Sequence, residues 1–481
     1  MHIGEYGPDK WAAGEIKAVK LINVAVNLWF ERSVELVIFR RSLVDKRPSE
    51  VLNDHEYGRQ YINQPITLDI TLSIAESIKE LGLAPSRIDI GVIATKWLSN
   101  NNPGTIDSFV KIELAKIISA GNYILKPKDV VLYGFGRIGR LAAREIITQT
   151  GKGEQLRLKA IVVRKGGEKD LLKRASLLRK DSVHGKFKGV VIENEEENYL
   201  QINGHKVNVI YANGPDSIDY ESHGINDALV IDNTGVWRDT ENLLKHTNSK
   251  GASKVLLTAP GKDTIPNIVY GVNHKEYAPD DYKVFSAASC TTNAIVPVID
   301  VIKEKYGIDR GHIETVHSYT NDQNLLDNYH KKYRRGRSAP INMVITETGA
   351  DKAVTKVFPD MAGKLTGNAV RVPTPNVSLA ILNLNLTKKA ESIEEINGVL
   401  RQASSYGKLV EQLDYSTSQE LVSTDIIGNA HAGVVDSHAT LLSKDGKTAV
   451  LYVWYDNEYG YTRQVVRLSK YISKVLRLTY Y

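Results

Sequence analysis

The chain has one cysteine, Cys290, in the run Ser289-Cys290-Thr291-Thr292-Asn293. A thiol attacks carbonyl carbon as its thiolate. Polar, hydroxyl-rich neighbours and the partial positive charge of a helix N-terminus would lower its pKa towards that form. A solitary cysteine is more commonly a small buried hydrophobe, so the nucleophile needs a partner. His317, in Thr315-Val316-His317-Ser318-Tyr319-Thr320, ends a strand-like run among hydrogen-bonding residues and is the candidate base; the bland alternative is a satisfied structural histidine. Together the two would support covalent catalysis by a thiolate.

A second constellation, Gly134-Phe135-Gly136-Arg137-Ile138-Gly139, follows the apolar run Val130-Val131-Leu132-Tyr133 and leads into a helical pattern from Leu141 to Thr148. In that context it is a dinucleotide fingerprint. Gly134 permits the tight turn, Gly136 lets backbone approach a pyrophosphate, and Gly139 allows close packing of helix on strand. An acidic residue ordinarily ends the second strand and binds the adenosine ribose. Here Ala160-Ile161-Val162-Val163 runs into Arg164-Lys165, which favours NADP over NAD because Arg164 can bond a 2′-phosphate, with dual use open. The alternative is two solvated surface cations.

These residues need an alternating framework. Short apolar runs at 158–163, 228–232 and 254–258, spaced by helical or loop stretches up to about 289, predict a doubly wound parallel sheet. Beyond Cys290, strand-like 376–386 and 448–455 and amphipathic 391–405 predict a mixed α/β domain. Before Lys126-Pro127 the pattern reads as helical. Ile70, Ile74, Ile78 and Leu81 recur at helical spacing, Ser86 with Asp89 reads as a capping box opening another helix, and 107–119 forms a third. The expected division is a helical extension at 1–125, a dinucleotide-binding domain at 126–289, a catalytic domain at 290–455 and a returning segment at 456–481. Length and 42% apolar content suit roughly two to four globular domains. The apolar run Leu21 to Phe30 is too short to span a bilayer. One cysteine excludes an internal disulfide and a four-cysteine metal site; no metal is expected, and the location is read as cytoplasmic. A net charge of +6 suits anionic small molecules and does not by itself indicate nucleic acid.

Five motifs now stand in one order: GFGRIGR, Asp181-Ser182-Val183-His184-Gly185, Ala288-Ser289-Cys290-Thr291-Thr292-Asn293, Arg371-Val372-Pro373-Thr374-Pro375-Asn376, and Trp454-Tyr455-Asp456-Asn457-Glu458-Tyr459-Gly460-Tyr461. Over about 130–472 they resemble the phosphorylating glyceraldehyde-3-phosphate dehydrogenases, in the longer subgroup with an N-terminal extension. The resemblance implies a Rossmann domain, a catalytic domain with a mixed sheet, a homotetramer, and reversible oxidation of glyceraldehyde 3-phosphate to an acyl phosphate. Cys290 resembles the nucleophile and His317 its base. Thr320 and Arg371 resemble the substrate-phosphate site, and Ser289, Thr291, Arg335, Thr348 and Gly349 the inorganic-phosphate side. Asn457 matches the residue that grips the nicotinamide carboxamide and Tyr461 the ring that sets its face; Thr234, Gly235 and Thr258 join the glycine loop, with Arg137 and Ile138, in the cofactor site.

Three positions depart from the family pattern. Ala294 stands where many members have a second cysteine, Tyr329 where NAD-specific members often have proline, and Ile381 where an aspartate is common. The alternatives that share these motifs are an erythrose-4-phosphate dehydrogenase and a regulatory or nucleic-acid-binding protein on the same scaffold.

Overall fold

The computed structural model describes residues 7–58, 65–100, 104–121 and 123–481. The chain divides into two compact units, one of 1–127, 150–155 and 475–481, the other of 128–149 and 156–474.

In the larger unit the first sheet runs in the order Val284–Ser286, Ala252–Leu257, Ala228–Asp232, Lys128–Tyr133, Leu156–Val163, His205–Tyr211, Tyr199–Ile202, Val191–Asn194. The first six strands are parallel and the last two turn antiparallel at the edge. Its central strands are continuous apolar runs because both faces are covered. The chain enters this sheet at Lys128–Tyr133, continues to Leu156–Val163 on one side and only later to Ala228–Asp232 on the other, so the crevice beyond Tyr133 lies where strand order reverses, the place where such sheets bind ligands.

The second sheet is mixed, in the order Val344–Thr346, Leu365–Val372, Ile308–Ser318, Ser378–Leu386, Thr448–Tyr455, Gly433–Asp436, Leu413–Ser416. Helix Cys290–Tyr306 buries Ala294, Ile295, Val298, Ile299 and Ile302 in the core on this sheet. Helix Tyr459–Ile472 packs on helix Arg137–Gln149, where Arg463 pairs with Glu145 and the Tyr459 hydroxyl donates to Glu145 at 3.1 Å.

The smaller unit departs from the helical expectation. It has a four-stranded sheet in the order Arg41–Ser42, Val34–Ile38, Ser86–Asp89, Leu478–Tyr480. Helices Pro8–Arg32, Leu68–Glu80 and Ile90–Ser99 supply much of its core. Ser86 opens no helix: Ser86–Asp89 is a strand, and Asp89 caps the next helix by accepting from the N–H groups of Gly91 and Val92 at 3.0 and 3.2 Å. The pairing partners of this strand are Val34–Val37 on one side and Leu478–Tyr480 on the other, so local spacing cannot reveal it. The run 107–119 is broken at Leu114 into helices Ile106–Glu113 and Ala115–Ser119. The segment read as returning from 456 divides as well, its helix in the larger unit and residues 475–481 in the smaller. No helix among the described residues is long and apolar enough to cross a membrane.

Candidate active site

Cys290 is the first residue of its helix. Ser289 is the N-cap, its hydroxyl accepting from Thr292 N–H at 3.0 Å and pairing with the Thr292 hydroxyl at 2.6 Å. The residue before the cap, Ala288, adopts the left-handed region at φ 55°, a strained conformation for a residue with a Cβ. Its N–H donates to Ser286 Oγ at 3.0 Å and its carbonyl accepts from the Tyr461 hydroxyl at 3.0 Å. Tyr461 thus holds the turn that aims the thiol, a role nothing in the sequence around Ala288 announces.

His317 sits near the end of strand Ile308–Ser318, and in the parallel neighbour the residue in register with it is Arg371. That register explains the contacts. Cys290 Sγ lies 3.7 Å from His317 Nε2; His317 Nδ1 lies 2.7 Å from the Ser318 carbonyl oxygen and 2.9 Å from Arg371 Nη1, which donates to that same oxygen at 2.8 Å. In the tautomer whose Nδ1–H donates to Ser318, the Nε2 lone pair faces the thiol.

Burial sets the protonation states. It pushes the Cys290 thiol up, against the pull of the Arg371 guanidinium and of hydrogen bonds with Thr291. Burial, then the Arg371 charge, holds His317 down to about 3. For the thiol, desolvation thus works against the lowering expected from the helix terminus and the guanidinium. His317 Nε2 is placed to take the proton as sulfur attacks.

From Arg371 the contacts continue outwards. Its Nη1 lies 3.4 Å from Thr320 Oγ1, the Thr320 hydroxyl donates to Asp322, and Arg335 donates to the other Asp322 oxygen at 2.6 Å and to Thr346 Oγ1 at 3.1 Å. Thr320, Arg335 and Arg371 are thus brought together around Asp322, a carboxylate two residues after Thr320 that the sequence analysis does not single out. The Thr291 hydroxyl is paired with Tyr455 at 2.9 Å. Thr348 and Gly349 are not drawn into this chain of contacts: the Thr348 hydroxyl accepts from Ala350 N–H at 3.2 Å, and Gly349 caps helix Ala350–Val357.

The residues expected to hold a cofactor lie at the ends of the parallel strands. Gly134 has φ +93°, and a Cβ on Gly139 would meet the Gly134 carbonyl oxygen at 2.4 Å, whereas one on Gly136 would enter open space. That space beside a helix N-terminus suits a pyrophosphate, so the loop fits a dinucleotide. Thr234 donates through N–H and hydroxyl to Asp232 at 2.7 and 2.6 Å, and Thr258 to the Asp232 carbonyl at 3.0 Å; Gly235 follows with φ +64°. The Arg137 side chain is committed elsewhere. It bonds Asp181 at 3.2 Å and Glu458 at 2.6 Å, so its backbone and that of Ile138, not the guanidinium, are what the helix start offers a phosphate. His184 Nε2 meets the same Glu458 at 2.9 Å. Next to it, Asn457 Oδ1 accepts from the Ser318 and Ser378 hydroxyls, both at 2.9 Å, which fixes the amide and frees its NH2 to donate.

Residues 128–240 match the family model described as the NAD binding domain of glyceraldehyde 3-phosphate dehydrogenase, and residues 289–457 match its C-terminal domain. The chain belongs to the glyceraldehyde-3-phosphate dehydrogenase family. It is 52% identical over 458 residues, 95% of this chain and 98% of the relative, to a glyceraldehyde-3-phosphate dehydrogenase-like protein of Pseudomonas aeruginosa. It is 40% identical over 348 residues to the glyceraldehyde-3-phosphate dehydrogenase of Zymomonas mobilis, covering 72% of this chain and 99% of that one. Glyceraldehyde-3-phosphate dehydrogenase 2 of Trichormus variabilis is 41% identical over 345 residues, 72% of this chain and 98% of its own length. The dehydrogenase family therefore accounts for the larger unit, and the Pseudomonas protein shares the segment before it as well. Among the described residues no group of His, Cys, Asp and Glu is arranged to hold a metal.

Proposed function

We propose that the protein oxidises glyceraldehyde 3-phosphate to 1,3-bisphosphoglycerate, reversibly, through acyl transfer on Cys290. The observation that carries this reading is the thiol at a helix start, 3.7 Å from a histidine Nε2 whose other nitrogen is anchored, with two arginines and Thr320 clustered beyond it. As Sγ bonds the aldehyde carbon, its proton passes to Nε2, and the new oxyanion lies near the backbone N–H groups at the start of the helix. A nicotinamide cofactor, held by the glycine loop, Thr234, Gly235, Thr258 and Asn457, supplies the hydride acceptor. Inorganic phosphate then attacks the thioester that remains. The carbon–sulfur bond breaks, sulfur recovers a proton from His317, and the acyl phosphate leaves with the oxidation energy conserved.

Arg371 and Thr320 suit the substrate phosphate, and Arg335 with Ser289, Thr291, Thr348 and Gly349 the attacking one. Arg164 follows strand Leu156–Val163, is exposed, and bears no carboxylate partner among the described residues, which supports NADP as the preferred cofactor with NAD accepted. The loop 321–345 exposes Leu325, Leu326, Tyr329, Tyr333, Ile341 and Met343, apolar surface that supports a homotetramer built on that loop. Steady-state rates with NAD and NADP, with and without inorganic phosphate, test the reading. Oxidation must require phosphate and yield a heat-labile acyl phosphate; full turnover without phosphate and a preference for the four-carbon aldehyde would overturn it.

A further inference from the structure

Helix Pro8–Arg32 uses one face for its own unit, burying Ala18, Leu21, Val24, Ala25, Leu28 and Trp29. The opposite face carries Ala12, Ile16, Val19, Asn23, Val26 and Phe30, at alternating intervals of four and three residues. Ile16 is 60%, Val19 53% and Phe30 41% exposed; Ala12 and Asn23 are exposed and Val26 is half-buried. That alternation is the seam of a two-stranded coiled coil. Its register puts Ile16, Asn23 and Phe30 at the a positions and Ala12, Val19 and Val26 at the d positions.

Two polar features choose the occupant of this seam. An asparagine at an a position meets its own symmetry mate only when two identical helices run parallel and in register. Asn27 Nδ2 already donates to Asn23 Oδ1 at 3.2 Å, which leaves the Asn23 NH2 group and the second lone pair of Oδ1 to meet their counterparts across the seam. Glu15 then falls at g and Lys20 at the following e, the two positions that face each other between parallel helices. Each would find the opposite charge on the second copy, twice over by symmetry, and neither has an ion pair among the described residues. The helix is already folded on its own core, so association carries no cost of forming it. We infer that this face pairs with the same helix of a second copy of the chain, parallel and about a two-fold axis.

The test is cysteine crosslinking in the full-length chain, with Cys290→Ser removing the native thiol. Under mild oxidation Asn23→Cys should give a covalent dimer on a non-reducing gel, and Lys17→Cys, off the seam, should not. Val19→Glu should abolish the crosslink. Lys20→Glu should weaken it several-fold, and Glu15→Lys added to Lys20→Glu should restore it. These side chains are exposed or half-buried, so circular dichroism and melting should stay as in the parent; if Val19→Glu disturbs folding, the charge pair decides alone. Absence of the Asn23→Cys dimer, equal dimer from Lys17→Cys, or crosslinking indifferent to the charge swap would overturn the proposal, whatever the assembly of the dehydrogenase unit.

Discussion

At Cys290 the thiol lies 3.7 Å from His317 Nε2, within reach of a proton transfer that accompanies attack. Cys290→Ser should abolish turnover while leaving cofactor binding intact, because a hydroxyl is a far poorer nucleophile of similar size. His317→Asn should cost on the order of 10²–10⁴-fold in rate, the span of a positioned acid–base group; near-normal activity of the serine variant would remove the covalent mechanism, and of the asparagine variant the acid–base role of His317. Arg371 opposes the upward push of burial on the thiol. Without its charge the thiolate loses stabilisation, so Arg371→Met should move the pH profile of Cys290 alkylation to higher pH, read as iodoacetamide rate against pH. Arg164 answers a separate question. Arg164→Asp should weaken NADP by about tenfold to a hundredfold, the worth of a charge-assisted contact, and spare NAD, whose ribose hydroxyls can donate to the new carboxylate. An unmoved ratio of kcat/KM for the two cofactors would make Arg164 a surface cation.

Elements in the larger unit were legible because their signals are local. The apolar runs at 158–163 and 228–232 lie in strands Leu156–Val163 and Ala228–Asp232, and the glycine loop sits between strand and helix as its spacing requires. The strand Ser86–Asp89 was not legible, since four residues with a serine and an aspartate three apart also spell a helix cap, and only distant partners decide. The site divides in the same way. Cys290 and His317 stand out by residue type and surroundings and lie 3.7 Å apart, but Asp322, clasped by Thr320 and Arg335, and the strained Ala288 depend on tertiary contacts. Likewise only tertiary contacts show that Asp181 and Glu458 hold the Arg137 guanidinium. In the smaller unit the element most exposed to test is the closing strand. Arg477, buried beside it, stacks 4.1 Å above the Trp29 ring, bonds Ser33 Oγ at 3.0 Å and lies 3.7 Å from Glu35. Arg477→Ala should cost about 2 kcal/mol or more, seen as a lower midpoint for the thermal transition of that unit with the other unchanged.

For the molecule as a whole, the unit boundary does not follow a single cut. A fragment of residues 126–481 keeps Leu478–Tyr480 without the sheet it completes, whereas 128–474 does not. The shorter fragment should therefore be the more soluble and should bind NAD(P), measured by monodispersity on gel filtration and by cofactor fluorescence; equal behaviour of the two would show that the strand needs no partner. The same threading sets a timetable for synthesis. Helix Pro8–Arg32 and strands Val34–Ile38 and Ser86–Asp89 leave the ribosome early, but the neighbour of Ser86–Asp89 is translated only after the entire dehydrogenase unit. Throughout that interval one side of Ser86–Asp89 presents unpaired N–H and C=O groups, an edge able to template pairing with other nascent chains. The segment made first is thus among the last to be finished, and slowed elongation across the larger unit should lengthen its dependence on chaperones.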